Sequence, residues 1–430
     1  MRIGTAFAAV LVGFGIGAAA FGQQPVANGT APGAPAVAVA AESGDFVIVW
    51  NDVDGVERNG FSSMGVFARL FEASGKPKGP AFRVHQETSG DQALPKVALD
   101  ERENFVVVWQ GGTWTRGTNS WPGGDGDGMG VFVQRFDRNG RRLGDPLRAS
   151  RSAAGSQVHP NVAVRPDGSF LVVWEDCPRF NQFNQDCPNL RVGSFSAGGE
   201  RQGGELEIPV LRNVGLGGPT PIPTPHIVVE PGGFAVGWTE FEACYKWFQE
   251  AFPVILHFTD SGQPVGERFR LDDGDCEDAT GWHLRALVAD REGSSAAFFR
   301  GLRDSFQLFD PAGRPVGRRK VIRRARVDEQ ITTAAMAADG RFAVIWDAHA
   351  ATGDPQSPDR FLLLASFFSP QGEPLGKRIE VASSPWFLHT PPAVAFGKNG
   401  TLIVVWAQDF SSNGGASFTH RLLFRQVRRN

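Results

Sequence analysis

PKVALDERENFVVVWQ (residues 95–110), followed after a glycine-rich insert by GVFVQRFDRNGRRLG (residues 130–144), carries every signal from which the fold is read. FVVVW is apolar at each position and ends on Trp109. A half-exposed strand would alternate polar and apolar residues, so a short continuous run reads as a strand buried on both faces. The same run recurs as FVIVW ending at Trp50, FLVVW at Trp174, FAVGW at Trp238, AAFF at Phe299, FAVIW at Trp346 and LIVVW at Trp406. With Trp109 that makes seven.

Working outward, each run follows a turn that often carries glycine, as in Asp167-Gly168, Gly232-Gly233 and Asp339-Gly340. Glycine accepts positive φ and so suits hairpins. Before each turn lies a second strand of small apolar residues, opened in five units by Pro35, Pro95, Pro160, Pro225 or Pro392. Proline is tolerated at a strand's first residue. After each aromatic comes a variable insert and a third strand, closed by Phe-x-x-x-Gly-x-x-x-Gly. That pattern appears as Phe71-Gly75-Gly79, Phe136-Gly140-Gly144, Phe195-Gly199-Gly203, Phe258-Gly262-Gly266, Phe309-Gly313-Gly317 and Phe368-Gly372-Gly376. The first glycine predicts a hairpin and the second the start of a fourth strand.

Four strands in each of seven units predict an all-β, seven-bladed β-propeller over residues 23–430, with blades starting near 35, 95, 160, 225, 285, 332 and 392. The seventh unit stops where its fourth strand is due, while QQPVANGT opens the chain after its leader. Residues near Pro25 to Asn28 are therefore expected to complete the last blade. The units VAVRPDGSFLVVW, GVFARLFEASGKPKG and GVFVQRFDRNGRRLG resemble the tandem VAV-x-x-DG-x-FVVVW / GVFARRFD-x-x-G-x-P-x-G repeat of bacterial secreted and surface proteins. The resemblance implies propeller-like architecture and brings no catalytic residues; it weakens at unit five, where GSSAAFFRG replaces the tryptophan strand.

High glycine (53) and proline (29) suit many short strands and turns. The charge balance, 43 basic against 46 acidic residues, offers no basic excess for nucleic acid. RLLFRQVRRN at the end alternates arginine with apolar residues and reads as a strand with one solvated face. Residues 1–22 read as a signal peptide: Arg2, an apolar stretch to Phe21, and small residues at Ala20 and Gly22 before Gln23. A secreted or periplasmic monomer with no membrane span after the leader is expected. The four cysteines fit an oxidising compartment.

With strands lettered a to d outward from the axis, a–b and c–d turns share one rim. The b–c loops and d–a connections share the other. The latter are long, and long loops on a rigid scaffold are where binding residues concentrate. Trp114, Trp121, Trp247, Trp282 and Trp386 all fall in them and are the candidate ligand-binding residues. The same topology predicts the pairs Cys177–Cys187 and Cys244–Cys276. Asp125 and Asp127 in DGDG, and Asp52-Val53-Asp54-Gly55, offer oxygen ligands to calcium without the full spacing of a calcium-binding loop. His159, His226, His283 and His389 cluster near the starts of strand a; hydrogen-bonded loop histidines fit better than a metal site, because separate blades hold them.

Carboxylates at Asp52, Glu175, Asp176, Glu240, Asp347 and Asp409 recur just past strand b. Glycoside hydrolysis needs a carboxylate pair, so a polysaccharide hydrolase with its acids at the ring mouth is one reading. A non-catalytic module that binds a glycan or protein through the long loops is the leading one. A structural envelope protein is the third. No cofactor is expected other than calcium.

Overall fold

The computed structural model describes residues 22–29, 32–58, 61–87, 89–112, 124–181, 184–210, 224–244, 248–271, 283–300, 303–324, 329–350, 359–384, 391–411 and 418–428. Seven four-stranded antiparallel sheets form a seven-bladed β-propeller. The second blade shows the plan. Its strands a to d are Gln92–Leu99, Phe105–Gly111, Gly130–Phe136 and Leu147–Arg148, paired in that order. Strand a of every blade lines the axis and strand d lies outermost.

Strand b is buried from end to end in FVVVW and its six counterparts. Blade faces stack on each other, so both faces of strand b meet apolar neighbours; Val107 and Trp109 pack toward blade one, Val106 and Val108 toward blade three. The six terminal tryptophans are all buried. A second stack reinforces five of the seven sheets; in blade seven Leu402 and Val427 take the two places. The phenylalanine opening strand b lies face to face with the one closing strand c: Phe46 on Phe71 at 4.9 Å, Phe105 on Phe136 at 4.8 Å, Phe170 on Phe195 at 4.9 Å, Phe234 on Phe258 at 5.1 Å and Phe342 on Phe368 at 5.0 Å. Blade five departs, as its sequence does. Ser295 stands opposite Phe309, which instead packs against Phe269 and His257.

The six predicted hairpin glycines, Gly75, Gly140, Gly199, Gly262, Gly313 and Gly372, all have positive φ, between 73° and 89°. The second glycine of the pattern is also left-handed in five units, from Gly203 at 67° to Gly376 at 78°. Gly79 is the exception.

The ring closes as the ends of the sequence imply. Gln24–Gly29 pairs antiparallel with Phe418–Val427, matching Gln24 to Phe424 and Asn28 to Arg421. Blade seven is thus completed from the opposite end of the chain. Val26 is buried among Phe46, Phe71 and Phe424, so the closing strand joins the core between blades seven and one. RLLFRQV is the strand it pairs with, buried but for Arg421 and Arg425. Among the described residues no helix is long and apolar enough to cross a membrane.

Candidate functional site

The rim of the b–c and d–a connections begins where strands b and d end. Strand b is longer there than FVVVW implies. In blade one it runs Phe46–Arg58, and in blade four Gly233–Cys244. The carboxylates expected beyond strand b therefore lie inside it. Asp52, Glu175, Glu240 and Asp409 are all buried. Each sits within a polar contact rather than facing open solvent. Trp238 Nε1–H donates to Glu240 at 2.9 Å, as does Arg268 at 2.9 Å. Asp409 meets His420 at 2.5 Å. Asp176 receives the Arg191 guanidinium at 2.6 Å, and Gln330 donates to Asp347 at 2.8 Å. His159 lies 3.6 Å from Glu175.

Trp114, Trp121, Trp247, Trp282 and Trp386 lie outside the described residues, as do His389, Cys276 and the leader to Phe21. The strands that flank the five tryptophans are described, and by the blade topology they all end on this one rim. The Cys244–Cys276 pairing likewise lies outside what is described.

Cys177–Cys187 is formed, as expected. It closes the b–c loop of blade three, inside which Arg179–Asn181 and Asn184–Asp186 make a small hairpin. Both sulfurs are buried with Val158 and with Met129, the last residue of the blade-two insert. The bridge thus anchors two long connections at once. Glu175 and the two cysteines are the single group of three ligand-type side chains within 4.8 Å among the described residues, and the disulfide consumes the thiolates a metal would need.

Asp125 and Asp127 close the blade-two insert. Asp127 accepts the Gly155 N–H at 3.2 Å. The Asp125 side chain is fully buried, 3.9 Å from the Arg148 guanidinium, and burial pushes its pKa up to about 6. Blade one repeats the arrangement: Asp54 lies 3.3 Å from Arg83. In both blades the glycine of Met-Gly-Val-Phe makes room for the acid. A Cβ at Gly65 would fall 2.8 Å from Asp54 Cβ, and one at Gly130 would fall 2.7 Å from Asp125 Cβ. Sequence reading found the acids but not their arginines, which lie on strand d.

Along the axis runs a channel of about 460 Å³, lined by strand a of all seven blades. Where strand a enters it, the chain bulges: pairing shifts between Gly33 and Ala36, Ala93 and Lys96, and Val158 and Asn161. Ala34, Leu94 and His159, each just before the opening proline, take positive φ of 43°, 52° and 51°. A residue before proline normally avoids that region, so the bulge is a strained feature repeated in three blades. Of the four histidines, His159 and His226 line the channel. His226 is driven down to about 3 by burial and by the nearby Lys96 and Arg285 charges, and His283 to about 4 by burial, Arg285 and Arg300. Both rings stay neutral near pH 7. Lys96 and Arg285 also line the channel, and no sequence motif marks them. The signal was there: the repeat puts Ala36, Ala286 or Ala393 where blade two has Lys96.

No protein-family model matches the chain, and no curated protein matches it. Among solved structures it is similar to an ulvan lyase, described as a new family of polysaccharide lyase, with a TM-score of 0.53 and 9% identity over 93% of this chain and 95% of that one. It is also similar to the β-propeller domain of the Trilobed protease from Pyrococcus furiosus (TM-score 0.46, 8% identity, 92% and 97% covered). The NanB sialidase of Streptococcus pneumoniae gives 0.44 and 10% identity, covering 94% of this chain and 70% of that one. At such identity the likeness is one of fold.

Proposed function

We propose that this chain is an exported, non-catalytic binding module that takes a glycan on the rim of long connections. The observation that carries this reading is topological. Each segment holding Trp114, Trp121, Trp247, Trp282 or Trp386 leaves and re-enters the scaffold on that rim. Tryptophan presents a broad face to stack on a sugar ring and an N–H for its hydroxyls. The burial of four of the six strand-b acids, Asp52, Glu175, Glu240 and Asp409, and the engagement of Asp176 by Arg191 and of Asp347 by Gln330 favour binding over hydrolysis, because a glycosidase needs two carboxylates open to the substrate. The disulfide supports export, since such bonds persist in oxidising compartments.

The test is a glycan screen for binding and turnover with the chain from Gln23, beside a Trp114→Ala, Trp121→Ala, Trp247→Ala variant. Binding without turnover is expected, weakened about tenfold or more in the variant at unchanged melting temperature. Turnover overturns the non-catalytic reading; binding indifferent to the three tryptophans removes the rim. Calcium at Asp125 and Asp127 is the accompanying reading for the blade-two insert. It requires a calcium-induced thermal shift that Asp127→Asn abolishes, and it must contend with the Arg148 charge already beside Asp125.

A further inference from the structure

One tier of strand a can be compared directly around the ring. In each blade one residue pairs with the position just before the strand-b aromatic. On one side these are Ala36, Ala286, Thr333 and Ala393. On the other they are Lys96, Asn161 and His226, from blades two, three and four. Arg285, at the bulge of blade five, extends that polar arc. The channel wall is therefore divided. Blades two, three and four, with Arg285 of blade five, present hydrogen-bond donors and cations, and Ala36, Ala286, Thr333 and Ala393 present small side chains that leave space.

The cations are not balanced alike. Arg285 feels Asp347 and Asp304, although its Nε is buried with no hydrogen-bond partner among the described residues. Lys96 has no carboxylate or hydrogen-bond partner among the described residues; burial alone acts on it, lowering its pKa. An ammonium held in a confined space without a counter-ion is unfavourable, and a sequence that keeps one there is provisioned for an anion. Asn161 is committed elsewhere, donating to the Pro225 carbonyl at 3.1 Å and bridging blades three and four.

We infer that the axial channel is a binding site for the anionic group of a sugar, a carboxylate or a sulfate ester, gripped by Lys96 and Arg285. The neutral His226 ring offers an N–H to the same group, and the small-residue arc accommodates the sugar's carbon face. The sugar part of this inference rests on the glycan reading of the rim; the anion part rests on the arc alone.

The experiment is ligand-observed NMR titration of the chain from Gln23, which contains every strand, with glucuronate, glucose 6-sulfate and glucose. Wild type is compared with Lys96→Met and Arg285→Gln, and each unliganded melting temperature is recorded. Glucuronate, glucose 6-sulfate or both should bind, with the stronger identifying the anion, and glucose should bind at least about tenfold more weakly. Lys96→Met should weaken the anion about tenfold or more and raise the unliganded melting temperature, since it removes a charge with no partner. Arg285→Gln, folded by circular dichroism, should weaken the anion likewise. Equal affinity for glucose, or anion affinity untouched by Lys96→Met, ends the proposal. So does a lower melting temperature for Lys96→Met, which would mean that a carboxylate of this chain already holds the lysine. Loss of glycan binding in the tryptophan variant but not in Lys96→Met would keep the rim and remove the channel site; the opposite result would keep the channel site and remove the rim.

Discussion

His85 shows how much one side chain can carry where the ladder thins. Strand d of blade one is only Phe82–Arg83, and His85 stands in for the missing backbone beyond it. Its Nε2 accepts the Val66 N–H at 3.0 Å, and its Nδ1–H is directed to the Glu87 carbonyl at 2.5 Å. A protonated ring has no lone pair for Val66, and burial holds the pKa at about 4 against the usual 6.5. Because the folded value lies below the unfolded one, the stability it contributes is complete above about pH 6.5 and is lost as pH falls toward 4. The upper bound is on the order of 3 kcal/mol. The melting temperature should therefore drop between pH 6.5 and 4, and His85→Gln, whose amide keeps an acceptor and a donor, should drop less. Parallel curves for the two proteins would refute the assignment. None of this was legible in the chain, because nothing about HQET in the sequence says that an imidazole replaces a ladder bond. The buried tryptophans were legible, because burial on two faces leaves an unbroken apolar run.

The c–d hairpin shows the same division between what a pattern states and what register decides. Phe-x-x-x-Gly told of a turn because only glycine takes positive φ without strain. It did not tell that the second glycine is left-handed as well, since one spacing serves both extended and left-handed glycine. The two cases can be separated by substitution. Gly144 has φ 76°, whereas Gly79, its counterpart in blade one, lacks positive φ and a Cβ there would meet nothing within 4 Å. Gly144→Ala should cost about 1 kcal/mol. Gly79→Ala should be neutral or stabilise by a few tenths up to about 1 kcal/mol, because it restricts only the unfolded chain. Urea denaturation of both variants decides it, and equal losses would mean that the φ difference has no energetic meaning. The strand-b acids were misplaced for a related reason. Apolar runs mark where strand b is dry, but its pairing continues for several residues into polar sequence, and length beyond the apolar run has no periodic signature.

The closed ring is the property that no single blade possesses. Seven repeated aromatic runs and a unit lacking its fourth strand were enough to foresee both the blade count and the closing strand. The axial arc was not foreseen, since it exists only when blades two to five are set side by side. Closure has a measurable share in stability. Val26 is buried between the first and last blades, and its carbonyl accepts from Arg69 at 2.8 Å. Removing residues 24–29 should cost at least about 3 kcal/mol, from the lost valine burial and the opened ladder together. An unchanged melting temperature would show that the sheet beneath suffices without it.

The same closure sets a clock. Gln24 pairs with Phe424, so the first strand of the propeller waits for its last. Contacts so distant in sequence are slow to form, and blades completed earlier must persist as an open arc with one uncovered flank. The arc stays unfinished until Phe418–Val427 is available to pair, and a protease or chaperone would meet Phe46 and Trp50 before their final neighbours cover them. Refolding followed at a probe in blade four should therefore finish ahead of one at Trp50, which packs into the closing seam, and simultaneous signals would rule that order out.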